Sequence, residues 1–135
     1  MLMLLRLVLA ATVLSSPAFA GDPAKGEADF KKCKSCHAII GADGTEIVKG
    51  GKTGPNLFGI VGRQIGSYPD FKYGESIVAA GADGSVWDEA AIAAYLVDPA
   101  KWLKEKTGDD GAKSKMTFKL PKGGEDMAAY LATQK

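Results

Sequence analysis

The chain has 135 residues, with 17 basic and 16 acidic side chains, one histidine and two cysteines, and a formal net charge of +1. That balance lacks the basic excess that nucleic-acid binding requires. The length suits one small domain with a modest core, which gains from an extra staple.

Residues 1–20 have the layout of a secretory leader. Arg6 stands near the start, the apolar run Leu7–Leu14 follows, and Ala18-Phe19-Ala20 supplies a small-x-small cleavage pattern. Arg6 and Pro17 bracket a run too short for a membrane-spanning helix, which takes about 20 apolar residues. Cleavage after Ala20 is expected, leaving residues 21–135 as a single soluble domain released on the far side of the membrane. Losing Arg6 leaves 16 basic against 16 acidic residues.

Asp22-Pro23 is a helix start, because Asp can accept from free N–H groups and Pro suits the first helical position. A helix over 23–35 is expected to lead directly into Cys33, with Gly26 and Phe30 on one face. Glycines at 41, 44, 50, 51, 54, 59, 62 and 66, and again at 81 and 84, mark loops. Asp88–Val97 reads as a helix with Trp87, Ile92, Tyr95 and Leu96 on or near its inner side and Pro99 ending it. A last helix over Glu125–Thr133 places Met127, Tyr130 and Leu131 on one stripe. Loops this extensive order with difficulty, since each fixed residue costs about 1–2 kcal/mol of backbone entropy. A large apolar group inside would account for their order.

Cys33-Lys34-Ser35-Cys36-His37 is the CxxCH pattern that attaches haem c. Two thiols separated by two residues can each add to a porphyrin vinyl group, while the next side chain lies under the iron. Three rival readings are weaker. Four-ligand zinc needs further Cys or His residues, and the sequence has none. A redox dithiol calls for a thioredoxin-like strand and helix pattern, which is absent. A purely structural disulfide is the remaining rival in an exported chain.

Iron held by one histidine either takes a sixth ligand or keeps an open position, which separates electron carriers from ligand-binding or catalytic haem proteins. Beyond the leader only Met116 and Met127 remain. Met127 falls on a buried stripe, whereas Met116 lies in a loop without apolar periodicity, so Met116 is the candidate ligand. Residues 31–42 and 111–124 contain seven lysines (31, 32, 34, 113, 115, 119 and 122) and no acid. If these segments meet, the molecule has one positive face suited to steering.

Taken with CxxCH, the ordered set Gly26, Phe30, Gly54-Pro55-Asn56-Leu57, Gly62-Arg63, Pro69-Asp70-Phe71-Lys72-Tyr73, Trp87, Tyr95-Leu96-Val97-Asp98-Pro99, Lys115-Met116-Thr117-Phe118 and Ala129-Tyr130-Leu131 resembles class I c-type cytochromes of the bacterial c2 and c550 group. The resemblance covers essentially all of residues 21–135. It implies an all-α fold in which the first and last helices cross and glycine-rich loops wrap one covalent haem. It further implies that Cys33 and Cys36 bind the haem, that His37 and Met116 ligate its iron, and that the Pro55 carbonyl accepts from the His37 ring. Arg63, Tyr73 and Trp87 would donate to a buried propionate, Tyr95 would approach the methionine sulfur, and Ser114, where the family usually has threonine, would make a further propionate bond.

The expected function is that of a periplasmic mono-haem electron carrier and not an enzyme. Its partners would be membrane complexes of the cytochrome bc1, oxidase or reaction-centre type, docked on a lysine-rich face of a monomer in a respiratory or photosynthetic chain, with periplasmic reductases as further candidates. The alternative from another class is a haem enzyme or sensor with an open iron position. A third possibility is a subunit dedicated to one dehydrogenase. Relative to the short mitochondrial pattern, the stretches His37–Pro55 and Pro99–Met116 are enlarged, the second by a loop over Lys104–Gly111.

Overall fold

The computed structural model describes residues 21–135, so the proposed leader lies outside the described residues. Helix α1, Pro23–Asp29, begins where the Asp22 carboxylate accepts the Ala24 N–H at 3.0 Å. It is shorter than the sequence suggested. At Phe30 the chain tightens into a 3₁₀ turn, Phe30–Lys32, and continues through single turns in which Cys33 N–H donates to Phe30 O and His37 N–H to Cys33 O. The helical path therefore reaches His37 in pieces.

Two short strands follow, β1 (Ile39–Ile40) and β2 (Glu46–Val48). They are antiparallel, with Ile39 opposite Val48, Ile40 opposite Glu46 and a register irregularity between the two pairs. The turn between them is Gly41–Thr45, closed by Gly41 N–H to Thr45 O at 2.9 Å. The first enlargement of the chain is thus a small hairpin. Helix α2, Glu75–Ala80, was not expected from the sequence. A bridge between Gln64 and Val86, with Gly62 N–H to Trp87 O and Trp87 N–H to Arg63 O, ties the 62–65 loop to the segment that presents Trp87.

Helix α3 spans Glu89–Val97 and is capped by the Asp88 carboxylate, which accepts from Ala91 N–H. Pro99 does not merely end it. Asp98 turns the chain, its side chain accepts from Lys101 N–H, and Pro99 opens a further helix, α4 (Pro99–Thr107), which stops at the left-handed Gly108. The enlargement read as a loop over Lys104–Gly111 is therefore half helical. Helix α5, Gly124–Ala132, buries Met127, Tyr130 and Leu131 as its periodicity required.

Helix α5 packs on both α1 and α3. The α1–α5 crossing depends on Gly26: a Cβ there would come within 2.7 Å of the Tyr130 Cβ and would overlap the Asp126 carbonyl. With no side chain in the way, Phe30 meets Tyr130 edge-on at 5.8 Å between ring centres. Asp22 N–H adds a bond to the Asp126 carboxylate at 2.8 Å. Phe30, Ile60, Trp87, Ile92, Leu96, Leu103, Met127 and Leu131 are buried, and every one of them also lines a single cleft. The core is arranged around that cleft.

Candidate haem cleft

The cleft has a volume of about 280 Å³. One wall is the CxxCH segment, brought there by the turns that follow α1; another is the 113–118 segment, and α3 and α5 contribute Ile92, Leu96, Met127 and Leu131. Cys33, Cys36, His37, Pro55, Tyr73, Trp87, Tyr95, Ser114 and Met116 all line it. Residues as far apart in sequence as Phe30 and Leu131 thus face one space, as a large flat apolar group with two covalent attachments requires.

The orientation of His37 is settled by its neighbours. Its Nδ1 lies 2.8 Å from the Pro55 carbonyl oxygen, which can only accept, so Nδ1 carries the proton and Nε2 keeps its lone pair for a metal. Burial pushes the imidazole pKa below its ordinary value against the opposing pull of the Pro55 carbonyl, so the ring is neutral and able to ligate. Glycine at 54 is a requirement of this arrangement, because a Cβ would stand 2.6 Å from Nδ1 and 2.8 Å from Nε2. The 50–54 loop is hydrogen-bonded to the backbone of the CxxCH segment through Gly51 N–H to Lys34 O and Gly54 N–H to Cys36 O.

The two thiols differ. Burial, with the nearby Asp29 carboxylate, pushes the Cys33 thiol up to about 11 against the opposing charge of Lys32. Cys36 is exposed, and the hydroxyls of Thr53 and then Ser35 hold its thiol below the ordinary value. Ser114 Oγ accepts the Met116 N–H at 3.1 Å and lies 2.8 Å from the Met116 carbonyl, to which it donates. This local bracket fixes the backbone at Met116. Tyr95 is largely buried. Desolvation raises its hydroxyl pKa, and the nearby Ser114 hydroxyl opposes that shift.

Arg63 is placed differently from the other candidates. It is absent from the cleft lining, and its guanidinium donates to the Asn56 and Phe58 carbonyls at 3.0 and 2.6 Å and sits 4.8 Å from the centre of the Tyr68 ring. The Tyr73 hydroxyl accepts the Tyr68 N–H at 3.1 Å. Sequence reasoning did not single out Thr53, Ile77 or Leu103, which also line the cleft. Thr53 and Ile77 lie in segments without a periodic apolar signal, and Leu103 belongs to the unforeseen α4.

A mostly helical chain whose end helices cross beside one apolar cleft, with CxxCH on its wall, has the fold of a class I c-type cytochrome. The solved cytochrome c2 of Rhodobacter capsulatus superposes with a TM-score of 0.82 at 65% identity, covering 84% of this chain and 97% of that one. Ferric cytochrome c-550 of Paracoccus versutus gives 0.83 at 55% identity, covering 85% and 98%. Among curated proteins, Rhodobacter capsulatus cytochrome c2 is 65% identical over 125 residues, 93% of this chain and 91% of that one. Paracoccus versutus cytochrome c-550 is 57% identical over 128 residues, 92% and 83% of the two chains. No family model matches the sequence. At these identities and coverages the chain belongs to the cytochrome c2 family, electron-transfer proteins with one covalently attached haem c.

Proposed function

We propose that the mature protein, residues 21–135 after removal of the leader, is a soluble periplasmic shuttle that carries single electrons between membrane redox complexes. Cys33 and Cys36 would hold the haem through thioether bonds, His37 Nε2 and the Met116 sulfur would take the two axial positions of its iron, and the iron would supply the one-electron couple. The observation that carries this reading is the convergence of the CxxCH turn and the Met116 loop on one apolar cleft, with Nδ1 of His37 committed to the Pro55 carbonyl. A thioether ligand favours the reduced iron and raises the potential. The protein's own part is to exclude water with Phe30, Ile60, Leu96 and Leu131 and to keep both ligand segments fixed, so that little has to move between oxidation states.

Trp87 and Tyr73 line the cleft and would donate to a propionate, whereas the Ser114 hydroxyl proton goes to the Met116 carbonyl and Ser114 would act by holding the Met116 backbone. Arg63 serves the propionate at one remove, by stiffening the 56–58 backbone and the Tyr68–Tyr73 segment. Lys32, Lys113 and Lys115 line the cleft, and Lys34 lies beside Cys33, so acidic surfaces of partners such as bc1, oxidase or reaction-centre complexes would meet the haem edge there. Reversing charge at Lys34 and Lys115 together should slow electron transfer to such a partner and flatten its salt dependence; unchanged rates would exclude this docking face.

The deciding experiment is the absorption spectrum of the purified holoprotein, oxidised and reduced, with carbon monoxide added to the reduced form. A c-type spectrum, a weak far-red ferric band from sulfur on iron and no response to carbon monoxide are expected. Rapid carbon monoxide binding would replace the carrier reading with that of a haem enzyme or sensor.

A further inference from the structure

The segment carrying Met116 is fastened at both ends to elements that belong to the rest of the fold. At its start, Lys113 N–H donates to the Ser76 hydroxyl on α2 at 2.9 Å. At its end, Leu120 N–H donates to the Leu96 carbonyl at 2.7 Å, and Lys119 Nζ donates to the Asp98 carboxylate at 3.0 Å. Asp98 is not an ordinary surface acid. It is the corner between α3 and α4, where one carboxylate oxygen caps α4 through Lys101 N–H and the other takes Lys119. The residues flanking this corner, Leu96, Pro99 and Leu103, are buried, so the carboxylate is mounted on a rigid support.

We propose that Asp98 is a positioning residue for the sulfur ligand: its ion pair with Lys119 tethers the Met116 loop to the α3–α4 corner and sets how readily the thioether leaves the iron. This rests on the reading of Met116 as an axial ligand. Opening swings the loop about its two ends, so an ion pair made in the closed arrangement and lost on opening favours the closed one without acting on the iron bond itself. The pairing also takes Lys119 out of the set of lysines free to meet a partner. Both groups are partly exposed, 58% for the Lys119 side chain and 31% for that of Asp98. A pair so exposed shifts an equilibrium by only about two- to five-fold. That is small for stability but measurable for ligand exchange.

Imidazole is a suitable probe, because it competes for the sixth position of ferric haem and is largely uncharged at mildly alkaline pH, which keeps surface charge out of the comparison. Asp98→Asn retains the cap on α4, since Asn caps as well as Asp, but loses the charge; Lys119→Gln removes the partner. In ferric holoprotein each variant should bind imidazole about two- to five-fold more tightly than the unmutated protein. The double variant should show no further gain, and Lys119→Arg should restore the original affinity, since a guanidinium reaches the same carboxylate. Lys122→Gln, a change of the same charge nearby, should have no effect.

Unchanged affinities in Asp98→Asn and Lys119→Gln, additive effects in the double variant, or an equal effect from Lys122→Gln would overturn the tether. The far-red sulfur band of the unmutated ferric protein keeps the two readings apart. Its absence would remove Met116 as a ligand and the tether with it, whereas its presence with unaltered imidazole binding would remove the tether alone.

Discussion

Replacing Gly26 with alanine adds a single methyl group at the α1–α5 crossing, and its cost can be worked from the geometry. The new Cβ would stand 2.7 Å from the Tyr130 Cβ and overlap the Asp126 carbonyl, whereas carbon atoms rest at about 3.5–4.0 Å. The helices must separate by about 1 Å. Overpacking of this kind costs about 1–3 kcal/mol, and the upper end applies because the obstacle is backbone that cannot rotate away. Separation also loosens the edge contact of Phe30 with Tyr130, worth about 1 kcal/mol, while the better helix propensity of alanine returns about 1 kcal/mol. The net is a loss of about 3 kcal/mol, or a fall of about 10–20 °C in melting temperature for a domain of this size. Thermal unfolding of the ferric holoprotein followed by circular dichroism measures it, and the reduction potential should stay where it was because the iron ligands are untouched. A melting temperature equal to that of the unmutated protein would refute the close-approach argument.

Gly54→Ala should drive its methyl group into the His37 ring and break the bond to Pro55, so holoprotein yield by haem absorbance per unit protein should drop several-fold; an undiminished yield would show that the ring has room to tilt. Asn56→Leu strips the Ile40 N–H and C=O of their side-chain partners at 2.9 Å each and should cost about 3 kcal/mol in urea unfolding. The Asp83 carboxyl is held down to about 2 from 3.8, chiefly by the Ser85 hydroxyl, then by the Ser85 amide and Lys106. Since the folded value lies below the unfolded one, its stabilising effect is complete above about pH 4 and disappears as the pH falls toward 2. The melting-temperature gap between the unmutated protein and Asp83→Ala should close over that acid window, and a gap independent of pH would contradict the assignment.

Much of this molecule is legible without coordinates because its strongest signals are local. CxxCH is five adjacent residues, and the stripe Met127, Tyr130 and Leu131 is fixed by one helix. The misreadings arise where two local rules compete. Pro99 does stop α3, but Asp98-Pro99 also has the same cap-then-proline form as Asp22-Pro23 and begins α4 for the same reason. The strands Ile39–Ile40 and Glu46–Val48 are too short for alternation to show, and α2 has only six residues. Arg63 illustrates a different gap. A sequence shows that a guanidinium is present but not that two of its five N–H donors go to backbone carbonyls. The cleft itself could be anticipated only from an imbalance, the excess of loop over apolar segment, because its walls come from stretches of chain that no window of sequence contains together.

The meeting of α1 and α5 also bears on the order in which the chain can fold. Asp22 and Asp126, joined by a hydrogen bond, are 104 positions apart, and closing a loop of that length carries an entropy cost of about 4 kcal/mol before any contact repays it. Proteins dominated by such distant pairings fold slowly compared with bundles of sequence neighbours. Here the partner of α1 is α5, which follows every other described element along the chain. CxxCH and the segments around it are therefore complete, and open to chemistry, for the whole interval before the C-terminal helix arrives to shut the structure over them.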